Sequence, residues 1–249
     1  MAAQRNADRG FSDTALFEVG QIFKGDKPEE QFTAASGLRR ALAKSEGIGR
    51  HWSGKAGLVD AFDAKGDAFA VLSAAGAPMQ ALQVVPGGPN WLHPGRSGTI
   101  QIGPQNVLGH FGELHPRVIS ELKAEGPLVG FEVILEKIPD PKAKPTRAKP
   151  LLELSPFQPV DRDFAFVVDR AVKAADLVRA AQSVDKKLIT NVIVFDVYEG
   201  KGIEAGKKSI AIAVTIQPRE KTMTDAEIDG LSGKIVAEVT KRTGGVLRA

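Results

Sequence analysis

Asp196 and Tyr198 stand two residues apart near the end of a β-branched run, Leu188–Val197, and Ser209 opens a second such run, Ser209–Ile216. Between the runs lies a turn-like segment with Gly200, Gly202 and Gly206, and Lys207 and Lys208 come immediately before Ser209. On a strand, a spacing of two sends side chains to the same face. A tyrosine there offers a plane on which an unpaired base can stack, worth about 1–3 kcal/mol per base. An aspartate accepts from base N–H groups and a serine donates or accepts, so together they could read the edge of a splayed-out base. Lysines alongside would hold phosphate. The plainer reading of a lone tyrosine at a strand end is half-buried packing.

Other constellations carry less. Asp161 and Asp163 share a strand face and could tune an acid–base pair, but Arg162 between them points the other way and no histidine is near in sequence. A surface role or hydrogen bonding is the expectation for that pair. His110, Glu113 and His115 could be drawn as a metal site, yet strand spacing puts positions five apart on opposite faces, and no helical histidine pair occurs. His93 and His115 each precede proline, and His51 has no partner motif. No G-x-G-x-x-G or P-loop run is present, and Gly95-Arg-Ser97-Gly98 is one residue short of a nucleophile elbow. The chain contains no cysteine, which excludes disulfides, thiolate zinc sites and cysteine nucleophiles. Neither a catalytic residue nor a metal ligand is expected.

The elements that must position Asp196, Tyr198 and Ser209 are legible. Asp161–Val168 reads as a strand, with Phe164 and Phe166 alternating against small or polar neighbours. Lys173–Val184 suits a helix. Thr224 and Glu227 form a capping box ahead of Ile228, Leu231, Ile235 and Val239 at helical spacing, and Gly244-Gly245 ends that helix. A short strand, Val246–Arg248, completes β-α-β-β-α-β, the ferredoxin-like order. The N-terminal part reads as α+β with mostly antiparallel strands at Leu16–Phe23, Gln31–Arg39, Gln80–Val85, Thr99–Ile102, Val107–Phe111 and Val129–Ile138. Helices are expected near Leu58–Ala75 and Pro116–Lys123. It opens abruptly on a strand, as if an earlier portion were missing.

A length of 249 residues favours two domains, and 43% hydrophobic with 25% charged residues is ordinary for globular protein. No apolar run is long enough to span a bilayer, and Met1–Asp13 lacks the core of a signal peptide. The expectation is a cytoplasmic protein without a membrane partner. Of the net charge of +3, all is matched by residues 139–150, which hold four basic and one acidic residue among four prolines. This stretch reads as a semi-extended connector, so the expected organisation is 1–138, a linker at 139–154, and 155–249.

Residues 155–249 resemble the ferredoxin-fold anticodon-binding domain of phenylalanine–tRNA ligases. The resemblance rests on Ser155–Phe157, Val160–Phe166, Phe195–Gly200, Gly206–Ser209, Thr222–Ile228 and Gly245–Arg248, six pieces in the right order. Leu16–Gly20, Leu92–Ser97 and Gly109–Pro116 resemble the catalytic-like domain of the bacterial β subunit, which has the class II synthetase fold without its active-site residues. The fold class implied is α+β, a partial class II synthetase-like antiparallel sheet domain followed by a ferredoxin-like βαββαβ domain. By the resemblance, the positions of Asp196, Tyr198 and Ser209 contact the first anticodon base of tRNA-Phe. Lys207, Lys208 and Arg162 are further candidate RNA contacts, with Arg248 also at a matching position. The resemblance also implies an α-subunit partner in an α2β2 enzyme, with ATP and magnesium used by the complete enzyme rather than by this part. An apolar face on residues 1–138, where the partner docks, is then expected. The competing readings are a ferredoxin-like regulatory or protein-docking module without RNA binding, a small-molecule enzyme using His110, Glu113 and His115, and a single-chain organellar synthetase.

Overall fold

Among the described residues strands outnumber helices, and their pairing sorts them into two antiparallel sheets, one of six strands and one of four. The computed structural model describes residues 1–42, 57–140 and 154–248. Contacts divide the chain into two compact units, Met1–Thr146 and Arg147–Ala249. Most of the expected proline-rich linker (141–153), and His51, lie outside the described residues.

The first unit runs α1 (Ala2–Ala7), β1 (Ala15–Phe23), β2 (Gln31–Arg40), α2 (Ala61–Ala74), β3 (Leu82–Pro86), β4 (Leu92–Ile102), β5 (Asn106–Leu114), α3 (Pro116–Glu121) and β6 (Leu128–Ile134). The strand order is β1-β2-β6-β5-β4-β3, so β1 is an edge. Phe17, Gly37, Phe131, Phe111 and Gly98 face one another across five strands. The rings of Phe131 and Phe111 lie over the glycines, and with Ile100, Leu108, Val129 and Val133 they pack beneath Ala64, Ala68 and Leu72 of α2. Asp60 starts α2 by accepting from the Phe62 N–H at 2.8 Å, which puts the helix start three residues after Leu58.

Four sequence expectations are corrected. A short helix, α1, precedes the first strand. The strand expected at Gln80 begins at Leu82, after a 3-10 turn at Met79–Ala81. The strand expected to reach Ile138 stops at Ile134 and passes into a 3-10 turn at Leu135–Lys137. The strand expected to begin at Thr99 begins at Leu92. Pro94 and Gly95 argue against a strand there, but a register shift between Leu92 and Ser97 takes up the irregular residues.

The second unit runs β7 (Val160–Asp169), α4 (Ala174–Val184), β8 (Ile189–Tyr198), β9 (Lys207–Ile216), α5 (Asp225–Thr243) and β10 (Val246–Leu247), with sheet order β10-β7-β9-β8. This is the expected ferredoxin-like arrangement, and the molecule is α+β as its sequence implies. Phe164, Phe166 and Val168 of β7 and Ile210, Ile212, Val214 and Ile216 of β9 form one face. They are buried against Leu177, Ala180 and Ala181 of α4 and Leu231, Ile235 and Val239 of α5. The capping box forms as expected: the Thr224 N–H donates to Glu227 Oε2 at 2.9 Å, and Thr224 Oγ1 accepts from the Glu227 N–H. Gly244 ends α5 in the left-handed region at φ 68°.

Candidate functional site

The face of the second sheet turned away from the helices takes every other residue of each strand. Register fixes its rows. Tyr198 pairs with Ser209 and Ser209 with Val167; Asp196 pairs with Ala211 and Ala211 with Ala165. Asp196, Tyr198 and Ser209 therefore share one surface, as their spacing predicts. Between Lys207 and Thr215, β9 offers small side chains there, Ser209, Ala211 and Ala213, flanked by Tyr198, Asp196 and Ile193 on β8. Ser209 is 4% exposed and forms a floor, whereas Tyr198 is 38% exposed at its rim.

β8 is the sheet's outer strand, and its pairing with β9 shifts between Val194 and Asp196, leaving Phe195 as an extra residue. Such a bulge bends an edge strand and re-aims the residues beyond it. Past this bulge the Tyr198 ring lies against the β8–β9 turn. Its Oη donates to the Lys201 carbonyl at 3.2 Å.

The basic residues divide. Lys207 pairs with Asp169 in register and lies on the same face as Ser209. Its Nζ is 2.7 Å from Glu204 Oε2, and that hydrogen bond, reinforced by the carboxylate's charge, raises the ammonium's pKa and lowers the pKa of Glu204. Both groups are on the surface, where such a pair is weak and exchangeable. Lys208 pairs with Val168 and so points to the opposite side of the sheet from Ser209. Arg162 pairs with Val214 on that opposite side too, five residues along β7 from Val167, or about 16 Å at strand rise. The structure thus groups Asp196, Tyr198, Ser209 and Lys207, and brings neither Lys208 nor Arg162 to them. Alternation alone could have separated Lys208 from Ser209. Asp161 accepts from Thr215 Oγ1 at 2.7 Å, a cross-strand hydrogen bond.

In the first unit, the residues drawn as a metal site serve separate tasks. His110 Nδ1 is 2.9 Å from Thr99 Oγ1, which itself donates to the Gly87 carbonyl at 2.9 Å. With the hydroxyl proton given to Gly87, the tautomer that completes this network is the one protonated at Nδ1 of His110. Burial, then the charges of Lys24 and Lys137, lower the imidazole pKa. Glu113 pairs with Arg96 at 2.5 Å, and His115 Nδ1 caps α3 by accepting from the Arg117 N–H at 3.1 Å. Among the described residues, no cluster of three or more His, Asp or Glu side chains could hold a metal ion.

Sequence reasoning anticipated an apolar surface here without locating it. β1 exposes Phe17, Val19 and Phe23, Phe17 at 85%. All three alternate onto the face that α2 covers further in. Beside them a groove of about 240 Å³ runs between β1 and α2, lined by Phe17, Gly37, Val71 and Phe131 and by the Arg39–Asp67 pair at 2.6 Å.

Comparison with known proteins adds an independent finding. Residues 155–248 match the family described as ferredoxin-fold anticodon binding domain, and residues 1–135 match the phenylalanyl tRNA synthetase beta chain CLM domain. The chain is 74% identical over 248 residues to the phenylalanine–tRNA ligase beta subunit of Bradyrhizobium diazoefficiens, covering 100% of this chain and 31% of that one. It is 73% identical to the corresponding subunit of Rhodopseudomonas palustris, covering 99% and 31%. It is 58% identical to that of Mesorhizobium japonicum, again over 99% and 31%. The chain therefore spans about a third of the length of the curated relatives it matches.

Proposed function

The chain belongs to the phenylalanyl-tRNA synthetase β-chain family, and on that premise we propose that it is a tRNA-gripping, subunit-bracing part of a phenylalanine–tRNA ligase. In this reading residues 155–249 bind the anticodon of tRNA-Phe, residues 1–138 dock the α subunit, and 139–154 join them. The chain itself performs no catalysis. Phenylalanine attachment, with its ATP and magnesium, belongs to the α subunit of an α2β2 enzyme in the cytoplasm. Within the described residues of this chain the side chains do not fit a metal site, so no step runs through one here.

The observation that carries the reading is the direct pairing of Tyr198 with Ser209, with Asp196 one row further on, all on the helix-free face. An unpaired first anticodon base stacks on the Tyr198 ring. The Asp196 carboxylate accepts from the base's N–H groups, and the Ser209 hydroxyl meets its edge from the floor. The short side chains of Ala211 and Ala213 leave room for the base to lie close to the strand. Lys207 exchanges Glu204 for a backbone phosphate, contributing salt-sensitive affinity rather than identity. Lys208 and Arg162 lie outside this pocket, and any phosphate they hold is a separate one.

Labelled anticodon stem-loop of tRNA-Phe tests the proposal across a salt series. Tyr198→Ala should weaken binding by about 1–3 kcal/mol, and a stem-loop changed at the first anticodon base should bind the wild-type chain poorly. Weak binding indifferent to both changes would leave only generic electrostatics, and would favour a protein-docking module.

A further inference from the structure

Three glycines punctuate the β8–β9 turn, and they are there for different reasons. Gly202 and Gly206 have positive φ, 91° and 82°, which L side chains adopt at a cost. Gly200 is not in that region, so its backbone would accept any residue. What its position excludes is volume. A Cβ at Gly200 would lie 2.8 Å from Tyr198 Oη, 3.1 Å from Cζ and 3.5 Å from Cε2. The ring occupies the space a side chain would need, and its hydroxyl reaches across to the Lys201 carbonyl at 3.2 Å.

We infer that Gly200 is a positioning residue for the Tyr198 ring: its missing side chain leaves the space in which the ring's hydroxyl end packs against the turn, the pose from which it stacks on a base. The inference rests on the reading of Tyr198 as the stacking plane. Its physical content is pre-organisation. A tyrosine at the free end of an edge strand, 38% exposed, would otherwise sample several rotamers, and ordering it would be charged against binding. Laid on Gly200 and tethered to Lys201, the ring is already ordered when the base arrives. The three atoms nearest an added methyl all belong to the distal end of one flexible side chain, so the ring swings out while strand and turn stay as they are. The fold tolerates Gly200→Ala; the ring pose does not.

Tyr198 is the only tyrosine in the chain, so biosynthetic 3-fluorotyrosine reports this ring alone by fluorine NMR. Gly200→Ala, Tyr198→Ala and the double variant are compared with wild type for stem-loop affinity and unfolding midpoint. The single-glycine variant is also compared for the fluorine signal. The expectation is that Gly200→Ala shifts the fluorine resonance, leaves the unfolding midpoint in place and weakens stem-loop binding by roughly fivefold or more. In the Tyr198→Ala background it should cost nothing further, because there is no ring left to displace. An unmoved fluorine signal, a moved signal with wild-type affinity, or an equal loss in the Tyr198→Ala background would each overturn the positioning role while leaving the base-stacking reading intact. Wild-type affinity for Tyr198→Ala itself would overturn both.

Discussion

Glu227 shows how one side chain can be asked to do two things. Its carboxylate accepts from Lys221 Nζ at 2.6 Å and from the Thr224 backbone N–H at 2.9 Å. The lysine hydrogen bond, then the backbone and side-chain bonds of Thr224, hold its pKa down from 4.5 to about 2. A carboxylate with a depressed folded pKa stabilises the native state above its unfolded pKa, and that contribution is lost as pH falls through the folded value. The window is therefore roughly pH 4.5 down to 2. Glu227→Gln should flatten the acid limb of stability in that range, read by denaturant melts at successive pH values. His110 has the same sign of pH dependence by a different route. Burial and nearby lysines disfavour its cation, so protonation below the usual imidazole range opposes folding.

Among the elements, the first sheet is fitted to its aromatic rings by glycine. A Cβ at Gly98 would stand 2.5 Å from Phe111 Cζ, 2.7 Å from Cε1 and 3.2 Å from Val84 Cγ1. Phe111 is buried beneath α2 with no room to retreat, unlike the Tyr198 ring, which can swing into solvent. Gly98→Ala is thus an overpacking substitution, expected to cost about 1–3 kcal/mol in chemical unfolding. The same missing methyl bears on stability at Gly98 and, in the positioning role inferred above, on a side chain's pose at Gly200. In the second sheet, the bulge at Phe195 and the glycine turn act together at the end of β8, where an outer strand would otherwise run straight past the floor at Ser209.

For the whole molecule, the apolar stretch on β1 matters most. Phe17, Val19 and Phe23 lie exposed along an edge strand beside a groove, which marks a surface meant to be covered. Since the side chains contact little, Phe17→Ser with Phe23→Ser should change the chain's own stability by no more than about 0.5 kcal/mol per site. With residues 1–138 in the docking role proposed above, it should nevertheless abolish co-elution with the α subunit in gel filtration. Persistent co-elution would put the docking face elsewhere. Much of this molecule could be read from its residues in order. The β-α-β-β-α-β sequence, the Thr224–Glu227 cap and the common face of Asp196 and Tyr198 come from periodicity and local hydrogen bonding, which depend on neighbours a few positions away. Strand pairing is different, because it joins residues that sequence separates. Only the tertiary structure set Ser209 opposite Tyr198, turned Arg162 to the other side of the sheet from Ser209, carried β4 back through Pro94 to Leu92, and laid the Tyr198 ring in the space that Gly200 leaves empty.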